Sequence, residues 1–446
     1  MPSVLSNRTY RHLFFAQVIA LIGTGLATVA LGLLAYDIAG GNAGAVLGTA
    51  LAIKMVAYIG VAPIVGAFAD RLPRRAFLVS MDLVRAAVAI CLPFVTEVWQ
   101  VYILIFALQS ASAAFTPTFQ ATIPDILPEE RDYTRALSLS RLAYDMESLT
   151  SPIIASALLT VISFHWLFSG TAIGFVASAL LVVTTVLPQA ESAGTRSGGI
   201  YEKTTRGIRI YLKTPRLRGL LALTLASAAA SSMVIVNTVV IIRDTLGLGQ
   251  RDVAFTLAAY GAGSMLAALA LPRILDRISD RTIMIFAASL LAIGLGALAI
   301  LTGQFAHGPL FWPIILGGWF VLGVTYSMSV TPSGRLLRRS SNAEDRPALF
   351  AAQFALSHGC WLIAYPLAGQ IGAHFGQVAA FGALAILAGI GALTAMRIWP
   401  SHDPDELFHQ HDDLAPDHPH MVNAHSGDGN DRHPFVIDAL HPQWPA

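Results

Sequence analysis

Hydrophobic positions in this chain form long runs, with neither the alternation of a half-buried strand nor the single stripe of a surface helix. Twelve runs are long enough to cross a bilayer core, which takes ~20 apolar residues per helix. They fall at about 11–39, 44–69, 76–96, 98–123, 137–163, 166–188, 217–242, 253–271, 282–303, 309–330, 348–373 and 377–399. Several begin or end at Pro, Gly or a charge cluster, as helices do. The pattern predicts an all-α membrane protein of twelve transmembrane helices. Behind the first run there is no small-residue cleavage site, so it reads as a retained helix and not a signal peptide.

Polar positions set the orientation. One set of alternate loops holds Arg71, Arg74 and Arg75; Arg131 and Arg135; Arg273, Arg277 and Arg281; and Arg335, Arg338, Arg339 and Arg346. The middle linker adds Arg196, Lys203, Arg206, Arg209, Lys213, Arg216 and Arg218, whereas the opposite loops hold only Arg243 and Arg251. The positive-inside rule then places both termini and the linker in the cytoplasm of a multi-pass inner-membrane protein.

Composition agrees. Of 446 residues 55% are hydrophobic and 12% charged, with a mean hydropathy of +0.62; a soluble domain carries roughly 25% charge. A net charge of +1 removes any broad electrostatic case for nucleic acid. The two cysteines, Cys91 and Cys360, make no disulfide framework. Lys54, Lys203 and Lys213 are the only lysines and none follows Gly, so there is no phosphate-binding loop to harness ATP. No nucleophile–base pair or closed zinc motif stands out. The expectation is a protein that is not an enzyme and has no resident cofactor.

The linker divides the helices six and six: a first half over 1–188, a linker over 189–216, a second half over 217–399 and a tail over 400–446. The halves echo each other. "FADR" closes the second run and "ILDR" the eighth, 206 positions later, while "TSPIIAS" in the fifth is answered by "AYPLAGQ" in the eleventh. Two pseudo-symmetric halves with substrate between them is a common plan for secondary transporters.

The strongest local signal is "GAFADRLPRR". Gly66 permits close helix contact, and Asp70 with Arg71, Arg74 and Arg75 forms a charged latch. An ordinary basic loop accounts for the arginines but not for Gly66 or Asp70. The stretch resembles the cytoplasmic loop motif of the major facilitator superfamily. That resemblance implies that Asp70 docks on the N-terminus of the eleventh helix, at "EDRPALF", and stabilises an outward-facing state. Pro347 suits the first turn there, and a carboxylate is favourable beside that dipole end. "SMDLVRA" and "FTPTFQATIPDILPEE" are similar to the drug and siderophore exporter branch. "TSPIIAS" resembles that branch's antiporter motif; Pro152 is present, while Ser151, Ala155 and Ser156 stand where members usually have Gly. The linker, the "TPSGRLLRR" loop and the tail together resemble nickel-resistance exporters of the superfamily.

Charges deep in a membrane helix cost ~2.5–3.5 kcal/mol at the centre, so each asks for a reason. Asp82 and Arg85, three apart, read as a self-satisfied pair. Arg141 and Asp145 allow the same, and Asp37 is interfacial. Lys54 and Glu147 remain near the midplane. The second half contributes His358 and Cys360, with His358 at a depth matching Asp145. Lys54, Asp145, Glu147, His358 and Cys360 are thus the candidate substrate and proton site, against the plain alternative of a packed histidine. Asp145 and Glu147 are two apart, so they face different ways.

The tail concentrates eight of the thirteen histidines after Pro400, interleaved with Asp and Pro. His402, His409, His411, His418, His420 and His425 are candidate ligands for nickel, cobalt or zinc. So polar a segment is expected to be disordered without metal and to pack against nothing; a merely solubilising extension is the alternative. The reading is a proton-coupled exporter, with a divalent metal, nickel first, as cargo. A drug or siderophore exporter with an incidental tail is the rival, and a non-transporting metal sensor the rival from another class. Expected partners are membrane lipid, protons and the substrate; a monomer is the expected state.

Overall fold

The computed structural model describes residues 2–68, 73–127, 129–185, 187, 200–306, 308–342, 345–403, 406–409, 431–437, 441 and 443–444. After a short α1 (Pro2–Ser6), the first half comprises α2 (Arg8–Ala39), α3 (Ala43–Phe68), α4 (Arg74–Cys91), α5 (Val98–Ile126), α6 (Glu130–Leu159) and α7 (Phe164–Val183). A linker helix, α8 (Ile200–Lys213), precedes α9 (Pro215–Val240), α10 (Gln250–Leu275), α11 (Asp280–Phe305), α12 (Phe311–Val330), the short α13 (Ser333–Arg339) and α14 (Arg346–Ile398). Inside α14, Gly376 takes φ 84° and ψ 170°, a conformation outside the helical range that divides it into two arms. Only glycine adopts such a φ without strain. The arms correspond to the eleventh and twelfth hydrophobic runs.

Lipid offers the backbone no hydrogen-bond partners, so helices that satisfy themselves are the way to cross it. Outward surfaces stay apolar: Ile293 is 65% exposed and Leu269 71%. Nine stretches among the described residues are long and apolar enough to cross a membrane, and the 55-residue one from Arg8 to Ala62 takes in α2 and most of α3. The charged helix α6 falls outside that set. It starts at Glu130, seven residues before the hydrophobic run does, because its first turns are charged.

The halves meet tightly at the end of the bundle away from the arginine-rich loops. A methyl on Gly369 of α14 would sit 2.2 Å from the Gly44 carbonyl of α3, and one on Gly48 would sit 2.5 Å from the Tyr365 carbonyl. Small residues of this kind let membrane helices touch backbone to backbone. Asn237 of α9 donates from Nδ2 to the Ala368 carbonyl at 3.1 Å. Both arginines of this end cross between the halves: Arg251 donates to the Thr160 carbonyl at 2.6 Å, and the Arg243 guanidinium lies 5.1 Å from the Tyr36 ring centre.

At the arginine-rich end, α8 packs on the start of α14. Arg206 Nε lies 2.7 Å from Asp345 Oδ1, and its Nη2 donates to Oδ2 at 3.0 Å. Gly207 meets the Ala348 carbonyl so closely that a methyl would sit 2.1 Å from it. Tyr211 donates to Gln353. Burial raises the Tyr211 phenol well above its ordinary range, which keeps that proton in place.

The tail departs from expectation. Strands β1 (Glu406–His409) and β2 (Asp431–Pro434) pair antiparallel, Glu406 opposite Pro434. Phe435 and Ile437 join the buried core, with Trp444 packed against it. The Arg216 guanidinium lies 4.9 Å from the Trp444 ring centre. Asp403 accepts from the buried Trp399 indole at 3.0 Å and lies 3.7 Å from Arg216 and 3.5 Å from Arg339. Described residues of 400–446 therefore pack on the bundle, which corrects the idea that nothing beyond Pro400 does. Aromatic residues at 435, 441 and 444 supply the packing surface that an overall polar composition hides. Within the linker, residues Ile200–Lys213 form the docked helix α8.

Candidate functional site between the halves

The charged residues sort into two groups once placed. Asp82 and Arg85, one turn apart on α4, pair with each other. Ser178 of α7 donates to Asp82 Oδ2 at 2.8 Å, and Arg85 lies 4.4 and 4.5 Å from the ring centres of Phe115 and Phe175. Every partner belongs to the first half. This is the self-satisfied pair that the spacing suggests.

Lys54 and Glu147 are different. They stand on separate helices, α3 and α6, close enough for their charges to interact. Glu147 reaches α2 as well: a methyl on Gly25 would lie 3.0 Å from Glu147 Oε1 and 2.0 Å from the Ser151 hydroxyl. Ser151, one turn after Glu147, thus fills the space that the missing side chain leaves. Its hydroxyl has no hydrogen-bond partner among the described residues. The small-residue surface of α6, with Ala155 and Ser156 also buried, is a helix-packing face.

From Lys54 the site runs into the second half. Lys54 Nζ is 6.0 Å from the centre of the Tyr58 ring, one turn on. Tyr58 stacks on His358 of α14, with ring centres 5.1 Å apart and planes 11° from parallel. Phe354 completes the group, 4.0 Å from His358 and 5.7 Å from Tyr58. A carbonyl can only accept, so His358 donates from Nδ1 to the Phe354 carbonyl at 2.6 Å. Tyr365 is near enough to Glu147 and to Tyr326 for electrostatic interaction, and Tyr326 lies 5.8 Å from Tyr260. The pair is therefore bordered by aromatic rings from α3 and α14.

Of the expected site, Lys54, Glu147 and His358 converge on this interface. Cys360 does not. Two residues from His358 on the same helix, it turns toward α9, 3.9 Å from the Leu221 carbonyl and packed with Ala228 and Ala364. Asp145 and Arg141 belong to α6, but their side chains, like that of Pro152, lie outside the described residues. In the loop motif, Gly66 lies in the last turn of α3, and Arg74, buried, and Arg75, exposed, open α4; Asp70 and Arg71 lie outside the described residues. The N-terminus of α14, the expected dock for Asp70, is held by Arg206 through Asp345.

Metal ligation finds no centre here. Among the described residues no three His, Cys, Asp or Glu side chains are grouped to hold an ion. His402 is exposed, and the His409 side chain lies outside the described residues with His411, His418, His420 and His425. The sequence reading missed Tyr58, Phe354 and Tyr365. A signal was present: Lys54 with Tyr58, and Phe354 with His358, are each four apart and so share one helix face.

Comparison with known proteins agrees with this architecture. The Major Facilitator Superfamily profile matches residues 13–306 and 220–416. An uncharacterized MFS-type transporter, YvqJ of Bacillus subtilis, is 24% identical over 406 residues, 87% of this chain and 92% of that one. Macrolide efflux protein A of Streptococcus pyogenes is 26% identical over 153 residues, 32% of this chain and 38% of that protein. Among solved structures, a mutant of the nucleoside transporter NupG aligns with a TM-score of 0.68 at 13% identity, over 88% of this chain and 100% of that one.

Proposed function

The chain belongs to the Major Facilitator Superfamily, and from that premise we infer that it is a proton-coupled exporter of amphipathic organic molecules. The carrying observation is the Lys54–Glu147 pair, set on two helices at the boundary between the halves and bordered by aromatic rings from both. Two opposite charges at this depth satisfy each other; a proton on Glu147 releases Lys54 from that partnership. Loading a proton and binding a polar substrate group then compete for the same carboxylate, which is what antiport requires. The stacked Tyr58, His358 and Phe354 offer planar faces to an organic ring system. A macrolide transporter among the relatives favours cargo of this size and kind.

Alternating access follows from the two ends of the bundle. The glycine contacts close one end, and separating them opens it. The positive-inside reading makes that end the outer one and puts both termini in the cytoplasm of an inner-membrane protein.

Nickel, cobalt or zinc as cargo keeps one observation in its favour, the eight histidines after Pro400 with "HQH" and "HPH" among acidic residues. On that reading His409, His411, His418 and His420 gather metal beside the entrance and raise its local concentration. Everted vesicles energised with a pH gradient decide between the two. Gradient-driven accumulation of a cationic dye, with none of nickel, supports the organic reading. The reverse supports the metal reading, and a metal-dependent signal with transport of neither supports a sensor.

A further inference from the structure

An open cavity of about 430 Å³ lies at the arginine-rich end of the second half, between α13 and the turn from α10 to α11. Arg335, Arg338 and Arg339 line it from α13, Ser279 and Asp280 from the start of α11, and Ile278 from the turn. Three guanidiniums face one carboxylate. Arg335 Nε is 3.6 Å from Asp280, Arg339 leans out toward Asp403, and Arg338 is exposed, with its Nε donating to the Gly334 carbonyl at 3.3 Å. Ser279 caps its own helix by accepting from the Thr282 amide. The positive charge of the cavity therefore comes from the arginines, whose planar forks match phosphate oxygens.

The cavity also has an apolar continuation. Phe286, Ile293 and Ile300 of α11 are 55%, 65% and 63% exposed. With Ser279 and Thr282 they recur at helical spacing, so one face of α11 runs from the arginines up into the lipid-facing surface. Ile278, at the cavity edge, is 44% exposed. A polar basic pocket at the foot of an oily stripe matches a molecule that is anionic at one end and apolar along its length.

We propose that this cavity is a phosphate-ester site, fitted to the headgroup of an anionic phospholipid whose acyl chains lie along the α11 stripe. Basic pockets between membrane helices hold such headgroups by the same chemistry. A soluble phosphate ester shares the headgroup and lacks the chains, and so would leave the stripe uncovered.

Native mass spectrometry of the full chain, released from nanodiscs of phosphatidylcholine with or without phosphatidylglycerol, tests this. The expected result is phosphatidylglycerol retained in preference to phosphatidylcholine. Retention is lost in Arg338→Glu and in Arg335→Gln, and kept in Arg209→Glu, which reverses an exposed charge on α8. If glycerol phosphate binds in phosphatidylcholine discs and Arg338→Glu abolishes it, the site stands with a soluble ester as its ligand. Equal retention of both lipids together with no glycerol phosphate binding overturns the proposal. So does retention of phosphatidylglycerol that survives both α13 variants.

Discussion

Two opposite-charge pairs in the first half, Asp82–Arg85 and Lys54–Glu147, differ in what surrounds them. Asp82 and Arg85 share one helix and draw their support from Ser178, Phe115 and Phe175, all in the first half. Lys54 and Glu147 share none, and their neighbours include Tyr365 from the second half, with Tyr58 beside Lys54 stacked on His358. A pair confined to one rigid half is unaffected when the halves rock. On the proposed alternating-access reading, one at their boundary changes its surroundings with every cycle. Opposite charge is thus common to both, but Asp82 and Arg85 are buried whereas Lys54 and Glu147 are only partly so. On the proposed function it is position at the boundary between the halves that separates a working pair from a structural one.

The sharpest way to break this contrast is Glu147→Gln. Gradient-driven accumulation in everted vesicles is expected to vanish while downhill substrate exchange and protein abundance persist. Normal accumulation would make Glu147 a structural residue like Asp82. Adding Lys54→Met neutralises the remaining charge, and is expected to keep abundance without restoring coupling.

The other pair should fail in the opposite manner. Removing one member of a buried pair strands its partner at a cost of ~3–5 kcal/mol. Asp82→Ala is therefore expected to lower the melting temperature and the yield, with transport per folded molecule retained. Fluorescence-detected size exclusion after heating, with transport normalised to protein, reads both. A folded but inactive Asp82→Ala would erase the distinction.

A smaller effect concerns the glycine seal. Gly369→Leu forces a side chain against the Gly44 carbonyl, and overpacking of this kind costs ~1–3 kcal/mol. The seal should loosen, so cysteines placed near Tyr58 become more reactive from the Arg243 end. Unchanged labelling would mean that those contacts do not govern access.

Smaller again is the linker brace. Arg206 is half exposed, which limits its ion pair with Asp345 to under ~1 kcal/mol. Arg206→Ala should alter transport modestly, and the swap of Arg206→Asp with Asp345→Arg should recover it. Asp70→Asn tests the loop motif in parallel: if Asp70 holds the start of α14, its loss lowers transport and increases labelling from the arginine-rich side. The order of the two effects tells which contact governs the gate.

The smallest effect on organic transport is expected from the tail. Replacing His411, His418, His420 and His425 with Asn should leave dye export unchanged and remove nickel binding, measured by calorimetry on the full chain. Protons compete for imidazole, whose ordinary pKa is ~6.5. Binding should therefore be present at neutral pH and lost on mild acidification. Deletion after Pro400 is a poorer test, because it also removes Asp403, Phe435 and Trp444 from the packed bundle.

Much of this protein was set by the sequence itself. Long apolar runs fix the helices because a backbone in lipid must satisfy its own hydrogen bonds; every run reappears in a helix, within a few residues for most and seven at the start of α6. The local Asp82–Arg85 pair was equally legible, since it depends on neighbours along the chain. What tertiary structure alone decided is how distant helices face one another. Residues 54 and 147 come within electrostatic reach and Tyr58 links residue 54 to residue 358, while residue 360 turns away, in a bundle whose helices approach closely at Gly25, Gly44 and Gly369. The same holds for the tail: its average composition is polar, but a few aromatic side chains find a surface that exists only once α9 and α14 have come together. Contacts between distant segments depend on shape at the point of approach, and local pattern carries no record of that shape.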